Sequence, residues 1–176
     1  MVHYRRNRVA GGSYFFTVNL QNRQSTFLTN HIDLLRESFN EVKRQYPFNI
    51  DAIVILPEHL HAVWNLPEED TNYSVRWQLL KSLFTRKLVI NGVSLTKSIK
   101  GEYDLWQRRY WEHTIRDDRD MQRHIEYIHY NPVKHGLVKQ VKDWPYSSFH
   151  QYVERGLVES AWGANFNDIS QGGYGE

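Results

Sequence analysis

The chain has 176 residues, which suits one domain with a substantial hydrophobic core and is short for two. Hydrophobic residues make up 40% of the sequence and charged residues 24%, a balance that excludes an intrinsically disordered chain. Cysteine is absent, which excludes disulfides, thiolate zinc sites and cysteine nucleophiles, and the net charge of +2 does not by itself identify a nucleic-acid-binding protein.

The sequence contains neither a membrane span nor a secretory signal. No run approaches the roughly 18 apolar residues that a membrane-spanning helix needs. The basic segment 1–12 leads into no apolar stretch with a small-residue cleavage site. We therefore expect a cytoplasmic protein.

Apolar patterns in the first half of the chain predict a strand, a helix and two further strands, in that order. Aromatic and β-branched residues predict a strand over 13–20, and helical spacing that stops before Pro47 predicts a helix over 32–46. A nearly continuous apolar run predicts a buried strand over 49–56. A turn at its end then leads into a strand over 59–66.

The second half begins with an amphipathic pattern that predicts a helix over 72–90, followed by a loop over 91–104. Partly alternating aromatic residues predict a last strand over 105–115. A helix from about 117 to 130 comes next, favoured by acidic residues at its start. We expect Asn131-Pro132 to end or kink it.

The resulting order, β-α-β-β-α-β-α, indicates an α+β fold of the ferredoxin-like or RRM-like type. We expect an antiparallel sheet with helices on one face, and a C-terminal helical extension over 147–155. The prediction is one catalytic domain over 1–155, which includes a basic N-terminal arm over 1–12, and a loose tail over 156–176.

His59 and His61 are the first candidates for a site, because they stand one residue apart at the start of a predicted strand. Alternate side chains share a face of a strand, so both imidazoles can bind one metal ion. Packing or surface roles for the two histidines remain equally open at this stage. Glu58 is expected to shape the turn before them, not to bind metal.

Tyr127 and Asn131 are the second pair, and their spacing of four places a phenol and an amide oxygen on one face of a helix. A tyrosine on an amphipathic helix is usually part of the core. Combined with the histidines, however, the pair suits a divalent ion that polarises a phosphate and a tyrosine that attacks phosphorus. We expect His113 and Arg116, which precede this helix, to support the sheet or the helix start.

Basic residues lie beside aromatic ones in several segments, a pattern that can hold phosphates and stack unpaired bases. A solvated surface is the alternative for each cluster. One basic segment contains Arg76, Lys81, Arg86 and Lys87. The candidates for DNA contact are a flexible N-terminal arm, a pair between tryptophans and a lysine after the last helix: Arg5, Arg6, Arg8, Arg108, Arg109 and Lys134.

Segments 56–61, 110–113 and 127–136 together closely resemble the REP-associated tyrosine transposases, bacterial relatives of the single-tyrosine HUH transposases. The resemblance extends over residues 4–155. It implies that His59 and His61 are metal ligands, that Tyr127 is the nucleophile and that Asn131 is the third ligand. Insertion-sequence members of the wider family often carry glutamine at this last position, so a shorter side chain must approach the metal here.

The resemblance implies an endonuclease and strand transferase that acts on single-stranded REP hairpins, with Mg²⁺ or Mn²⁺, through a 5′-phosphotyrosine intermediate. A protein of this kind would work at the nucleoid, as a monomer in preference to a dimer. Two other functions remain open. One is a module that binds structured single strands without cutting them. The other is a metal-dependent phosphodiesterase that uses water instead of Tyr127.

Overall fold

The computed structural model describes residues 6–164, so Arg5 and the end of the predicted tail, 165–176, lie outside the described residues. The described strands are β1 (Ser13–Asn19), β2 (Asn49–Ile55), β3 (His59–Asn65) and β4 (Trp111–Thr114). The described helices are α1 (Phe27–Asn30), α2 (Ile32–Gln45), α3 (Tyr73–Ile90), α4 (Asp118–Lys134), a 3-10 turn (Val141–Asp143) and α5 (Phe149–Glu154). No helix within residues 6–164 combines the length and the apolar character that a bilayer crossing requires.

The four strands form one antiparallel sheet in the order β2-β3-β1-β4, which confirms the predicted α+β, ferredoxin-like class. β3 is therefore an inner strand, paired with β1 on one side and β2 on the other. The register places His61 opposite Thr17 on β1 and opposite Val54 on β2.

One face of the sheet packs against α2 and α3, as the sandwich requires. Trp64 of β3 stacks on Trp77 of α3 with ring centroids 4.0 Å apart, and Phe16 of β1 contacts both rings edge-on. Burial of such large side chains stabilises the fold by roughly 2–3 kcal/mol each, before entropy is subtracted. This face holds the larger part of the core.

The other face is covered by α4, so the prediction of helices on one face was wrong. Phe15, Val54 and Val63 lie on this second face and pack against Tyr127 and Ile128 of α4. The inner strands carry apolar residues at both odd and even positions, so apolar side chains point to both faces of the sheet. Each face therefore has to be covered. Consequently, β1 is buried from Tyr14 to Asn19.

α4 also runs four residues further than expected. Pro132 does not end the helix, which continues to Lys134. Proline removes one amide donor, a small loss in the last turn of a helix. The helix is instead closed two residues after Lys134 by Gly136, whose φ of +68° is the left-handed conformation typical of the residue after a helix. Its amide donates to the Val133 carbonyl.

Two other predicted elements differ in extent. The last strand covers only Trp111–Thr114 of the predicted 105–115, because the preceding residues leave the sheet after a single bridge between Leu20 and Trp106. The short helix α1 was missed, since four residues carry too little periodicity. The predicted extension is confirmed as α5, although Trp162 beyond it still contacts Phe149, so the domain boundary at 155 stays a prediction.

The N-terminal arm was expected to be flexible, but residues 6–12 are attached to the sheet and to α3. The Asn7 side chain donates to the Thr114 hydroxyl, and its carbonyl accepts from the Tyr73 hydroxyl. The Gly11 amide donates to the Asp70 carbonyl. The described part of the arm therefore has a defined position.

The first turn of α4 is anchored to β4 through Asp120, which is 7% exposed. Its Oδ2 accepts from His113 Nε2 at 2.8 Å and from the Arg116 amide at 3.0 Å, and the Arg116 guanidinium lies 3.3 Å away. His113 and Arg116 thus support the helix start, as predicted. Burial by itself would raise the pKa of Asp120, but these donors outweigh burial and lower it to about 2.

We predict that Asp120→Asn lowers the free energy of unfolding by about 2 kcal/mol at pH 7, since one pKa unit corresponds to about 1.4 kcal/mol. The folded-state pKa lies below the unfolded one, near 3.9. The stabilisation is therefore complete above that value and is lost as the pH falls from about 4 to about 2. Urea titrations at pH 7, 5 and 3.5 measure both effects.

Asp118→Asn is the matched control, because this exposed residue lies in the same helical turn. It should change stability by less than about 0.5 kcal/mol. Equal losses in the two variants would mean that only the charge at the helix N-terminus matters, and not the contacts with His113 and Arg116.

Candidate active site

His59 and His61 lie side by side on the face of β3 that α4 covers, and neither side chain is exposed to solvent. Their ring centroids are 4.9 Å apart. The strand geometry therefore brings the two imidazoles together as predicted from their spacing. Two buried imidazoles need hydrogen-bond partners or a ligand for their nitrogens.

The contacts of His59 determine which of its nitrogens is available. Nδ1 lies 2.8 Å from Oε1 of Glu58, and a carboxylate can only accept, so Nδ1 carries the proton. Burial lowers the pKa of His59, against the opposing effect of the Glu58 carboxylate, which favours the neutral ring. Nε2 then carries a lone pair, is buried and has no hydrogen-bond partner among the described residues. This tautomer is the one that a metal ligand needs.

His61 is held by its neighbours on β1. Its Nδ1 lies 2.9 Å from the Thr17 hydroxyl, and its ring stacks on Phe15 with centroids 5.5 Å apart. A hydroxyl can accept a hydrogen bond, so this contact is compatible with the same tautomer as in His59. Each histidine thus has a partner that orients its ring.

α4 places a stripe of side chains over the two histidines. The ring of Tyr127 lies 5.2 Å from that of His61, and the ring of His135 lies 5.2 Å from that of His59. Asn131 is four residues from both Tyr127 and His135, so it shares their face of the helix and lies between them. It is fully buried. The structure therefore brings Tyr127 against His61, and the helical spacing places Asn131 on the same face of α4.

Lys134 reaches the hydroxyl of Tyr127, with Nζ donating to Oη at 3.1 Å. Tyr127 is 2% exposed, whereas Lys134 lies at the surface. The hydroxyl end of the Tyr127 ring is therefore the end nearest the surface. An ammonium at this position stabilises a phenolate. Lys134 was predicted as a DNA contact, and the structure adds this contact with the candidate nucleophile.

The donor set fits a divalent cation. His59 supplies a buried lone pair, His61 lies beside it, and the amide oxygen of Asn131 is the type of ligand that hard cations accept. Two imidazoles and one amide oxygen are all neutral, so the bound ion would keep its full positive charge for a phosphate.

A second group of potential ligands lies at the N-terminal end of α4, where single atoms of His113 of β4 and of Asp120 and His124 of α4 approach within 4.8 Å of one another. The Arg116 guanidinium donates to Oδ2 of Asp120. A metal ion bound to that oxygen would lie beside the guanidinium. Both cations would then repel each other at close range. This group is best described as the anchor of α4.

Two of the other predicted DNA contacts, Arg6 and Arg108, lie beside α3 and away from this site. Arg6 lies over the Tyr110 ring and contacts Ser74 at the start of α3, on the opposite side of the sheet. Arg108 lines a groove beside α3, and Arg8 and Arg109 are exposed. Of the predicted DNA contacts within residues 6–164, Lys134 is the one that the structure places against the candidate site, at the Tyr127 hydroxyl.

Three neighbours of the site were not assigned to it from sequence: Thr17, Glu58 as the partner of His59, and His135. The β1–β3 register, which places Thr17 opposite His61, would have been needed to find the first. His135 follows Asn131 by four residues, and this spacing was the available signal.

Comparison with known proteins identifies the family of the chain. The profile of the IS200-like transposases matches residues 9–131. A REP-associated tyrosine transposase of Escherichia coli (strain K12) is 46% identical over 172 residues, which cover 98% of this chain and 97% of that protein. A Haemophilus influenzae protein is 47% identical over 167 residues, which cover 94% of this chain and 95% of that protein.

The solved structure of a REP-associated tyrosine transposase bound to a REP hairpin superposes with a TM-score of 0.88 at 45% identity. The match covers 100% of this chain and 98% of that one. The chain therefore belongs to the IS200-like family of DNA transposases and, within it, to the REP-associated tyrosine transposases.

Proposed function

We propose that this enzyme cuts and rejoins single-stranded DNA beside REP-type hairpins through a covalent bond to Tyr127. The observation that carries the proposal is the position of the Tyr127 hydroxyl, which lies at the end of a ring against His61 and accepts a hydrogen bond from Lys134. A nucleophile, two metal-ligand candidates and a cation thus meet at one place. The hairpin is proposed from the REP hairpin that the related structure contains.

In the proposed cleavage step, Oη of Tyr127 attacks phosphorus and forms the phosphotyrosine bond, while the bond from phosphorus to the 3′-oxygen breaks. The DNA leaves with a 3′-hydroxyl, which takes up one proton as the phenol loses one. Rejoining is the reverse attack by a 3′-hydroxyl, so no external energy source is needed. The number of phosphodiester-type bonds is the same before and after each step.

His59, His61 and Asn131 would hold a divalent cation, Mg²⁺ or Mn²⁺, which supplies Lewis-acid activation of the phosphate when bound. Glu58 and Thr17 keep the two imidazoles in orientation. Imidazole nitrogen is a better ligand for Mn²⁺ than for Mg²⁺. We therefore expect Mn²⁺ to support cleavage at a lower concentration.

The role of Lys134 in the step is to stabilise the charge that develops on Oη. Free tyrosine has a pKa of about 10 and is mostly protonated at neutral pH. A donor that already lies 3.1 Å from the oxygen needs no rearrangement when the phenolate forms. The same ammonium can also contact the DNA phosphate. Activity on chromosomal hairpins would place the enzyme at the nucleoid.

The covalent intermediate is tested with a hairpin oligonucleotide that carries a single-stranded flank and a label at its 3′ end. Wild type with Mn²⁺ should give a labelled protein adduct on a denaturing gel, because the 5′-phosphate of the downstream fragment stays on Tyr127. Tyr127→Phe, His59→Ala and chelation should each abolish the adduct. A 5′ label should instead leave as free DNA with a 3′-hydroxyl.

Tyr130→Phe is the matched control on the same helix and should keep the adduct. Cleavage without an adduct in Tyr127→Phe would favour attack by water and a phosphodiesterase. Tight binding with no cleavage by wild type, in either metal, would favour the module that only binds DNA.

Lys134→Gln should slow adduct formation at pH 7 by at least tenfold, because about 1.4 kcal/mol or more of phenolate stabilisation is lost. The deficit should shrink as the pH approaches 9.5, where solvent removes more of the phenolic proton. Lys134→Arg, which keeps a cation, should recover most of the rate. A deficit that is independent of pH and equals the loss of hairpin affinity would make Lys134 a DNA contact alone.

We propose that one chain forms the whole site, as a monomer, since Tyr127 contacts His61 within the same chain. A mixture of Tyr127→Phe and His59→Ala should then form no adduct, because neither variant has both an intact Tyr127 and an intact His59. Restored adduct in the mixture, together with a dimer in light scattering, would show that two chains exchange α4 and share their sites.

A further inference from the structure

The segment between β1 and α1 lies against the turn that precedes His59. The Leu20 amide donates to the Glu58 carbonyl at 2.7 Å, and the Leu28 amide donates to the Pro57 carbonyl at 3.1 Å. Both ends of the segment are therefore attached to this turn. A side chain between them has a defined position beside the start of β3.

Arg23 lies within this segment, and its guanidinium connects two strands. Nη1 donates to Oδ1 of Asn19, which is 6% exposed, and Nη2 lies 3.7 Å from Oε1 of Glu58. Asn19 is the residue of β1 that lies opposite His59 in the register. The planar guanidinium offers donors in several fixed directions, so one group can hold both oxygens.

The oxygen of Glu58 near Arg23 is the same one that accepts from Nδ1 of His59, at 2.8 Å. Strand geometry does not enforce this contact, because consecutive side chains of a strand point to opposite faces. A carboxylate at a partly exposed turn can also turn toward water. Glu58 therefore needs a second partner to stay on the imidazole, and Arg23 lies where such a partner is required.

The charge of Arg23 and its position have opposite effects on a bound metal ion. A guanidinium near the ligands repels a divalent cation, so its charge alone weakens metal binding. By fixing Glu58 against His59, the same guanidinium strengthens binding, since a partner on Nδ1 orients the ring and raises its basicity. An exposed ion pair at 3.7 Å adds little to the stability of the fold.

We propose that Arg23 is a positioning residue of the metal centre, which acts through Glu58 to hold His59 in the orientation and tautomer that present Nε2 to a divalent cation. Arg23 touches neither the metal nor the phosphate in this role. Nε2 of His59 is the buried nitrogen without a hydrogen-bond partner among the described residues. The metal part of this inference rests on the proposed function.

The test measures Mn²⁺ affinity without DNA, from the electron paramagnetic resonance signal of free Mn²⁺, in a double-mutant cycle of Arg23→Gln and Glu58→Gln. Arg36→Gln is the matched control, because it removes the same charge from an exposed position on α2. Circular dichroism melting confirms that each variant is folded. Nitrogen-15 NMR of the histidine side chains, at pH 7 and without metal, measures the tautomer of His59. The His59→Ala spectrum assigns its signals.

We expect Glu58→Gln to weaken Mn²⁺ binding at least tenfold, as is typical for the partner of a metal-binding histidine. Arg23→Gln should weaken binding at least threefold, although it removes a repelling charge. In the Glu58→Gln background, Arg23→Gln should cause no further loss, because its effect passes through the carboxylate. The NMR spectrum should show His59 as the Nδ1–H tautomer in the wild type and as a mixture of both tautomers in Arg23→Gln.

Three results would overturn the proposal. They are unchanged or tighter Mn²⁺ binding in Arg23→Gln, an equal loss in the Glu58→Gln background or in Arg36→Gln, and a His59 spectrum of Arg23→Gln identical to that of the wild type. Failure of the proposed function would appear differently, as a wild type that forms no adduct and binds no Mn²⁺. The NMR comparison of metal-free proteins still decides the role of Arg23 in that case.

Discussion

The burial of β3 on both faces is the constraint on which the site depends. As an inner strand it carries Trp64 on one face and His59 and His61 on the other, and all three are fully buried. Burial of a polar ring in a sheet costs free energy unless its nitrogens find partners. Glu58 and Thr17 satisfy one nitrogen of each histidine, and α4 excludes water from that face. The helix that covers the sheet is therefore also the helix that carries the candidate nucleophile.

Both ends of α4 are fixed, which explains how a tyrosine in its middle keeps its position. Asp120 attaches the first turn to His113 of β4, and Gly136 closes the last turn. The turn beyond Pro132 brings Lys134 to the Tyr127 hydroxyl. A helix that ended at the proline would leave this ammonium without a defined position.

The sequence predicted most of this arrangement where a short period was enough. Period two identified His59 and His61, and a spacing of four identified Tyr127 and Asn131. Their assembly depends on which face of the sheet α4 covers, and periodicity within α4 carries no information about that choice. The role of Thr17 likewise depends on the β1–β3 register, which long-range pairing determines.

The distribution of charge also could not be read from the net value of +2. Arg76 and Lys87 neutralise carboxylates inside the fold, whereas Arg86 stays exposed, although all three lie in one helix. At the candidate active site, by contrast, Lys134 reaches the tyrosine hydroxyl. A site whose candidate metal ligands are neutral and which holds one positioned ammonium is suited to stabilising charge that develops on a few oxygens. Affinity for a long polyanion depends instead on cations spaced along a surface.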